Sequence, residues 1–164
     1  MNKIKIPLFN KKLLQTAIKK NVDAAIEEDL KNIDKTSDIL QIKQNGFATI
    51  RVNQKAILCG SLWVNYCFQK IDKKIKIIWH LNEGSLIKKG DIICSISGNY
   101  NALLKGERIA INFLQTLSAT ATIANLLSSK IKRYKAKLFD TRKTIPGLRV
   151  AQKYAVQLLS LIHI

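Results

Sequence analysis

The 164-residue chain carries 28 Lys and Arg against 11 Asp and Glu, which gives a formal net charge of +17. Its length is enough for one ordinary domain, or for one small domain and part of another. Hydrophobic residues make up 47% of the sequence, so we expect a folded chain despite the charge. No apolar run approaches the roughly 18 residues that a membrane span needs, and the N-terminus lacks the apolar segment of a signal peptide.

The type of basic residue argues against a nucleic-acid-binding surface as the origin of the charge. Lys occurs 23 times and Arg 5 times, beside 24 Ile and 12 Asn. Lys, Ile and Asn are the residues that A/T-rich coding sequence accumulates by drift, and net charge reports on association rather than on fold. We therefore expect no nucleic-acid partner. A basic binding module, whose affinity would fall steeply with salt, is the alternative from another class.

The cysteines and histidines predict no metal site. Cys59, Cys67 and Cys94 lie in apolar segments without CxxC spacing, which predicts buried free thiols in a reducing cytoplasm. His80 has no His or Cys near it at ligand spacing and is predicted to be a strand histidine.

The first hundred residues alternate helical and strand patterns. Apolar residues at a period of 3.6 predict an amphipathic helix over residues 12–30. Two turn signals, Glu83-Gly84 and Lys89-Gly90, separate later strand-like segments. The remaining predicted elements are strands at 47–52, 55–58, 75–79 and 91–97, and a short helix at 62–71.

The second part of the chain predicts a long helix and then the first step of a parallel α/β unit. The helix covers residues 101–131 and has a narrow face of small residues, which allows another element to approach closely. A short strand at 138–140, a polar loop at 141–147 and a helix at 148–159 follow. Strand, loop and helix in this order are typical of parallel α/β folds.

The loop contains the best candidate ligand-binding residues. In a parallel α/β fold, ligands bind beyond the carboxyl ends of the strands. Thr141, Arg142 and Lys143 lie there, and the guanidinium group of an Arg grips carboxylates and phosphates with two parallel hydrogen bonds. Arg108 is a second isolated arginine, on the long helix beside Glu107. From the residues alone, a solvated basic loop and an anion-binding loop are both open.

The same residues carry a resemblance to a known family. Residues 140–149 read Asp-Thr-Arg-Lys-Thr-Ile-Pro-Gly-Leu-Arg, with Lys-Tyr-Ala-Val at 153–156. This run resembles the signature of the quinolinate phosphoribosyltransferases, the carboxylating nicotinate-nucleotide pyrophosphorylases. The segment 107–115 is similar to the family's central helix, and Trp79 to Gly98 to its strand-turn-strand segment. The resemblance spans about residues 11 to 156.

The resemblance implies an α/β fold of two domains. Residues 1–112 would form an N-terminal α/β sandwich, and residues 113–164 the beginning of an α/β barrel. After Val156 the family has a Gly-rich turn leading to a His-Arg pair, whereas this chain ends in Gln-Leu-Leu-Ser-Leu-Ile-His-Ile. We therefore expect a C-terminally truncated barrel that lacks the family's downstream Lys and the acidic residues that hold Mg²⁺.

The resemblance also implies an activity. The family joins quinolinate to phosphoribosyl pyrophosphate, releasing pyrophosphate and CO2 and giving nicotinate mononucleotide for NAD biosynthesis. Thr141, Arg142 and Lys143 would bind the dicarboxylate, and Arg108 would reach the partner subunit's site in a cytoplasmic homodimer. Mg²⁺ would neutralise the departing pyrophosphate. A phosphoribosyltransferase acting on another base is the alternative among enzymes. A biotinyl or lipoyl carrier is disfavoured, because residues 82–98 lack the hairpin-tip Lys that a carrier modifies.

Overall fold

The computed structural model describes residues 10–31 and 44–158 of the chain. In these two ranges it has four helices and five strands. They are α1 (Lys11–Lys31), β1 (Asn45–Arg51), β2 (Ala56–Ile57), α2 (Ser61–Ile71), β3 (Lys76–Trp79), β4 (Leu86–Ile87), β5 (Ile92–Asn99), α3 (Tyr100–Ile131) and α4 (Arg149–Gln157).

A three-stranded antiparallel sheet forms one layer of the fold. Its order is β1-β5-β3, and β2 and β4 form a separate two-stranded pair. The register of β1 on β5 shifts between Ile50 and Arg51, which leaves Ile93 without a partner in β1. As a result Ile93 and Cys94 are both buried, together with Ile96. Cys94 and Ile96, two positions apart on the strand, therefore face the core from the same side of β5.

Helix α3 has 32 residues and contributes buried side chains to both core clusters. The predicted narrow face is confirmed, because Ala110, Leu117 and Ala121 are fully buried. One side of the helix packs on the sheet, and the other packs on α1, α2 and α4. A Cβ added at Gly106 would meet the Phe68 ring at 2.4 Å. The small residues therefore let α2 lie directly against α3.

The prediction of a strand at 138–140 is wrong. These residues have no regular secondary structure, and no strand of the described part pairs with them. Strand propensity is expressed only where a neighbouring strand takes the backbone hydrogen bonds. Conversely, the sequence does not predict β4, because two residues are too few to show the alternation of apolar and polar side chains that is typical of a strand.

The helical predictions are confirmed to within two residues wherever the structure describes the ends. Helix α3 runs without a break past residue 112, so the division into domains at 112/113 stays a prediction. The segment from 159 to 164, including His163, lies outside the described residues. The described helices all lack the combination of length and apolarity that a bilayer span requires. Cys59, Cys67 and Cys94 are free and buried, as predicted.

Candidate functional site

The loop at 141–148 is folded back on the helix that follows it. Asp140, just before the loop, accepts a 2.6 Å hydrogen bond from Lys153 Nζ, and the Asp140 side chain is only 7% exposed. The Ile145 N–H donates to Gln152 Oε1 at 2.8 Å. Both partners lie in α4. The loop is therefore held to this helix just before its first residue and again at Ile145.

The loop backbone is further closed by its own hydrogen bonds. The Lys143 N–H donates to Thr141 Oγ1 at 3.2 Å, and the Thr144 N–H donates to the Arg142 carbonyl at 3.1 Å. Gly147 has a φ of 79°, in the left-handed region where glycine is favoured, and it completes the predicted Pro-Gly turn. Thr141 Oγ1 uses one lone pair to accept this bond, so its hydroxyl hydrogen and a second lone pair remain for a ligand.

The cationic side chains of the loop point to solvent. Arg142 and Lys143 are exposed, and no carboxylate within residues 10–31 and 44–158 forms an ion pair with either. The loop is anchored, and these two adjacent cations have no carboxylate partner in that part of the chain. They are therefore available to bind an anion from outside the protein. A guanidinium group and an ammonium group side by side suit a carboxylate or a phosphate.

Arg108 lies on α3, and its ion-pair partner lies on α1. Its Nη1 contacts Asp29 Oδ1 of α1 at 3.0 Å, and its side chain remains 66% exposed. It therefore pairs across to another helix and not with its neighbour Glu107, as expected for adjacent helical positions. The described residues show no hydrogen bond or ion pair that joins Arg108 to residues 141–143. Thr141, Arg142 and Lys143 thus share the exposed loop, whereas the ion-pair partner of Arg108 lies in α1.

Sequence reasoning missed Asn21, which connects α1 to the loop. The Trp63 Nε1–H donates to Asn21 Oδ1 at 3.3 Å, and Asn21 Nδ2 donates to the Gly147 carbonyl at 2.9 Å. Nothing in the local pattern marks this residue, because a polar residue in an amphipathic helix normally faces water.

Glu83 was also missed, since it was interpreted only as part of a turn. Its carboxylate accepts the Gly60 N–H at 2.7 Å and the Ser61 N–H at 3.0 Å, at the start of α2. It also accepts the Tyr154 hydroxyl at 3.2 Å. Burial, aided by the charge of Glu83, raises the pKa of Tyr154 far above its usual value, so the hydroxyl stays protonated and donates.

The described residues contain no group of three or more His, Cys, Asp or Glu that could hold a metal ion. The Mg²⁺ expected from the resemblance stays a prediction, and no part of the site described above depends on it.

Two family models match consecutive parts of the sequence. The one described as quinolinate phosphoribosyl transferase, N-terminal domain, matches residues 34–118. The one described as the C-terminal domain of the same family matches residues 120–159. Together they cover most of the chain in the order that the resemblance implied.

Curated relatives and solved structures agree with these models. The chain is 34% identical over 140 residues to a probable nicotinate-nucleotide pyrophosphorylase [carboxylating] of Bacillus subtilis (strain 168), covering 85% of this chain and 48% of that protein. It is 27% identical over 141 residues to quinolinate phosphoribosyltransferase [decarboxylating] 2b, mitochondrial, of Nicotiana tabacum, covering 85% and 40%.

Among solved structures, the nicotinate-nucleotide pyrophosphorylase from Francisella tularensis superposes with a TM-score of 0.84 at 34% identity, covering 96% of this chain and 54% of that one. The α/β fold with the start of a barrel is thereby confirmed. The chain spans about half the length of the proteins that it matches.

Proposed function

We propose, because this chain belongs to the quinolinate phosphoribosyltransferase family, that it takes part in phosphoribosyl transfer to quinolinate with decarboxylation. The pyridine nitrogen of quinolinate would form a bond to C1 of phosphoribosyl pyrophosphate while the bond to pyrophosphate breaks. Loss of one ring carboxyl group as CO2, with a proton taking its place, then gives nicotinate mononucleotide. The observation that carries this proposal is the anchored loop, whose Arg142 and Lys143 form no ion pair with a carboxylate of the described residues.

The geometry of the loop suits a dicarboxylate. Quinolinate is a planar dianion whose ring nitrogen is a weak nucleophile, so catalysis depends on orientation and on preorganised positive charge. Arg142 would hold one carboxylate through two hydrogen bonds, and Lys143 would add a charge beside it. Thr141 would donate its hydroxyl hydrogen. Because α4 fixes the loop, these groups need little reorganisation when the substrate binds.

The second part of the proposal is a homodimer with shared sites. Arg108 is exposed on α3 and is not connected to the loop of its own chain. A cation in this position can act on an anion bound by a second copy of the chain. Sedimentation equilibrium of the purified chain tests this, and a species of one chain's mass at all concentrations would remove Arg108 from a shared site.

We also place the protein in the cytoplasm. Three free thiols, all buried, suit a compartment in which cysteines stay reduced. Subcellular fractionation with an antibody against the chain checks this part of the proposal. The Nicotiana tabacum relative is named as mitochondrial, so an organelle-bound fraction is the opposing result.

The decisive experiment measures binding and turnover separately. Quinolinate is titrated into the purified chain in a calorimeter, with nicotinate as the matched ligand that lacks one carboxylate. In parallel the chain is incubated with quinolinate, phosphoribosyl pyrophosphate and magnesium, and nicotinate mononucleotide is assayed by chromatography. We expect quinolinate to bind at least about tenfold more tightly than nicotinate, since the second carboxylate adds charge-assisted hydrogen bonds.

Each other outcome has a meaning. Equal binding of nicotinate would favour a phosphoribosyltransferase for another base. Folded protein that neither binds quinolinate nor forms product would contradict the proposed function for this chain. Salt-dependent affinity for duplex or single-stranded nucleic acid, without quinolinate binding, would favour the basic binding module.

A further inference from the structure

We propose that Asn21 is a positioning residue that holds the loop at 141–147 in the geometry that presents Arg142 and Lys143. This inference deepens the proposed function and rests on it for the ligand. Asn21 lies in α1 and donates to the carbonyl of Gly147, 126 positions further along the chain. Its hydrogen bond goes to the loop backbone, and no hydrogen bond among the described residues joins it to Thr141, Arg142 or Lys143.

The orientation of the Asn21 amide is determined by its two partners. Indole Nε1–H of Trp63 only donates, so it requires the amide oxygen. The Gly147 carbonyl only accepts, so it requires the amide N–H2. One orientation of the amide therefore forms both hydrogen bonds, and both would be lost if the amide were rotated by about 180°. Asn is thus the residue type whose short side chain offers an acceptor and a donor side by side.

The far end of this bridge is rigid. Trp63 is fully buried in α2, and its ring lies 5.4 Å from the ring of Tyr154. Since Trp63 cannot move without disturbing the core, it fixes Asn21, and Asn21 in turn fixes Gly147. The loop is therefore held in position by the buried core as well as by α4, the helix that follows it.

The other anchors of the loop come from α4 itself. Gln152 accepts from Ile145, and Lys153 pairs with Asp140. These contacts set the shape of the loop relative to α4. Among the hydrogen bonds of the described residues, the one from Asn21 joins the loop to the helices of the N-terminal part. Together with the burial of Ala151, Tyr154 and Ala155 of α4 in the core, it sets where the loop lies relative to α1 and α2.

The substitution Asn21→Asp tests this role selectively. An Asp carboxylate still accepts from Trp63, but it cannot donate to Gly147 and places a charged oxygen against that carbonyl. Asn65→Asp is the matched control, because Asn65 Oδ1 accepts from Trp79 Nε1 at 2.9 Å and has no hydrogen bond to the loop. Asn21→Ser, which removes both hydrogen bonds without adding charge, replaces Asn21→Asp if that variant does not fold.

Two readouts are measured on the full chain: amide hydrogen exchange of the peptide covering 141–148, and the Kd for quinolinate. Loss of one hydrogen bond is expected to speed exchange of this peptide and to raise the Kd by about three- to tenfold each. The urea midpoint of each variant shows that the fold is intact. Asn65→Asp is expected to leave both readouts at the wild-type values.

Two results would overturn the inference. One is a loop that exchanges at the same rate in Asn21→Asp as in the wild type. The other is a loop that exchanges faster while the quinolinate Kd stays unchanged, since Asn21 would then have only a structural role. If the wild-type chain binds no quinolinate, the proposed function fails, whereas the exchange rates still decide whether Asn21 holds the loop.

Discussion

The Tyr154 hydroxyl donates a hydrogen bond to the Glu83 carboxylate at 3.2 Å, across 71 positions of sequence. The same carboxylate accepts two backbone N–H groups at the start of α2. One side chain from a turn of the N-terminal part therefore joins α2 to α4, the helix that holds the anion-binding loop. Because Tyr154 is fully buried, its hydroxyl depends on Glu83 for its hydrogen bond.

Replacing Glu83 is expected to destabilise the fold. Glu83→Ala removes two charge-assisted hydrogen bonds and leaves a buried hydroxyl without an acceptor, which should lower the free energy of unfolding by about 3 kcal/mol. Tyr154→Phe removes only one hydrogen bond and should cost about 1 kcal/mol. Urea denaturation measures both. Glu107→Ala, at an exposed position of α3, is the control. An equal loss of unfolding free energy in Glu83→Ala and Glu107→Ala would contradict the role given to Glu83.

Arg142→Lys is expected to weaken quinolinate binding while leaving stability unchanged. Lys keeps the charge but cannot form two parallel hydrogen bonds to a carboxylate, so the Kd should rise by about tenfold or more. Calorimetric titration of quinolinate measures the change. Arg133→Lys is the matched control, because Arg133 is also exposed and lies outside the loop. An unchanged Kd in Arg142→Lys would remove this residue from the site.

Arg108→Ala separates a structural from a functional role. Exposed ion pairs contribute little, so loss of the contact with Asp29 should change the free energy of unfolding by less than about 1 kcal/mol. If Arg108 acts on substrate held by a second copy, the same variant should nonetheless weaken quinolinate binding by about tenfold. Asp29→Asn breaks the ion pair and keeps the guanidinium group. Equal binding defects in both variants would show that only the ion pair matters.

Because its thiols are buried, we expect the protein to lose stability at high pH. Burial raises the pKa of Cys67 from 9.0 to about 12 and that of Cys94 from 9.0 to about 11. Above pH 9 the unfolded chain releases these protons and the folded chain keeps them. The free energy of unfolding should therefore fall as pH rises from 9 towards 11 and 12, by at most about 1.4 kcal/mol per pH unit for each thiol.

Urea denaturation at pH 8, 9 and 10 measures this dependence. The contribution of these two thiols is fully present below pH 9. Cys67→Ala and Cys94→Ala should each reduce the slope between pH 9 and 10, although both lower the stability at pH 8 by leaving a cavity. A slope that is the same in wild type and variants would show that the thiols ionise equally in folded and unfolded chains.

Local sequence patterns were sufficient to predict the helices, the strands of the three-stranded sheet and the position of the loop. Each depends on local chemistry: the 3.6-residue period of α1, the small residues of α3 and the Pro-Gly turn that ends at Gly147. The residues at 140–149 also identified the family, because their order is specific. The strand at 138–140 failed, since a strand exists only when another strand lies beside it.

Which residues hold the loop in place depends on the packing of segments that are distant in the sequence. Asn21 and Glu83 look like ordinary surface residues in the sequence, and each acquires its role from a partner more than 70 positions away. The tertiary structure also pairs Arg108 with Asp29 of α1, a partner 79 positions away that no local pattern indicates. Local patterns report how a segment prefers to fold with its own neighbours along the chain. A hydrogen bond between distant segments depends on how the packed helices bring the two groups within about 3 Å of each other.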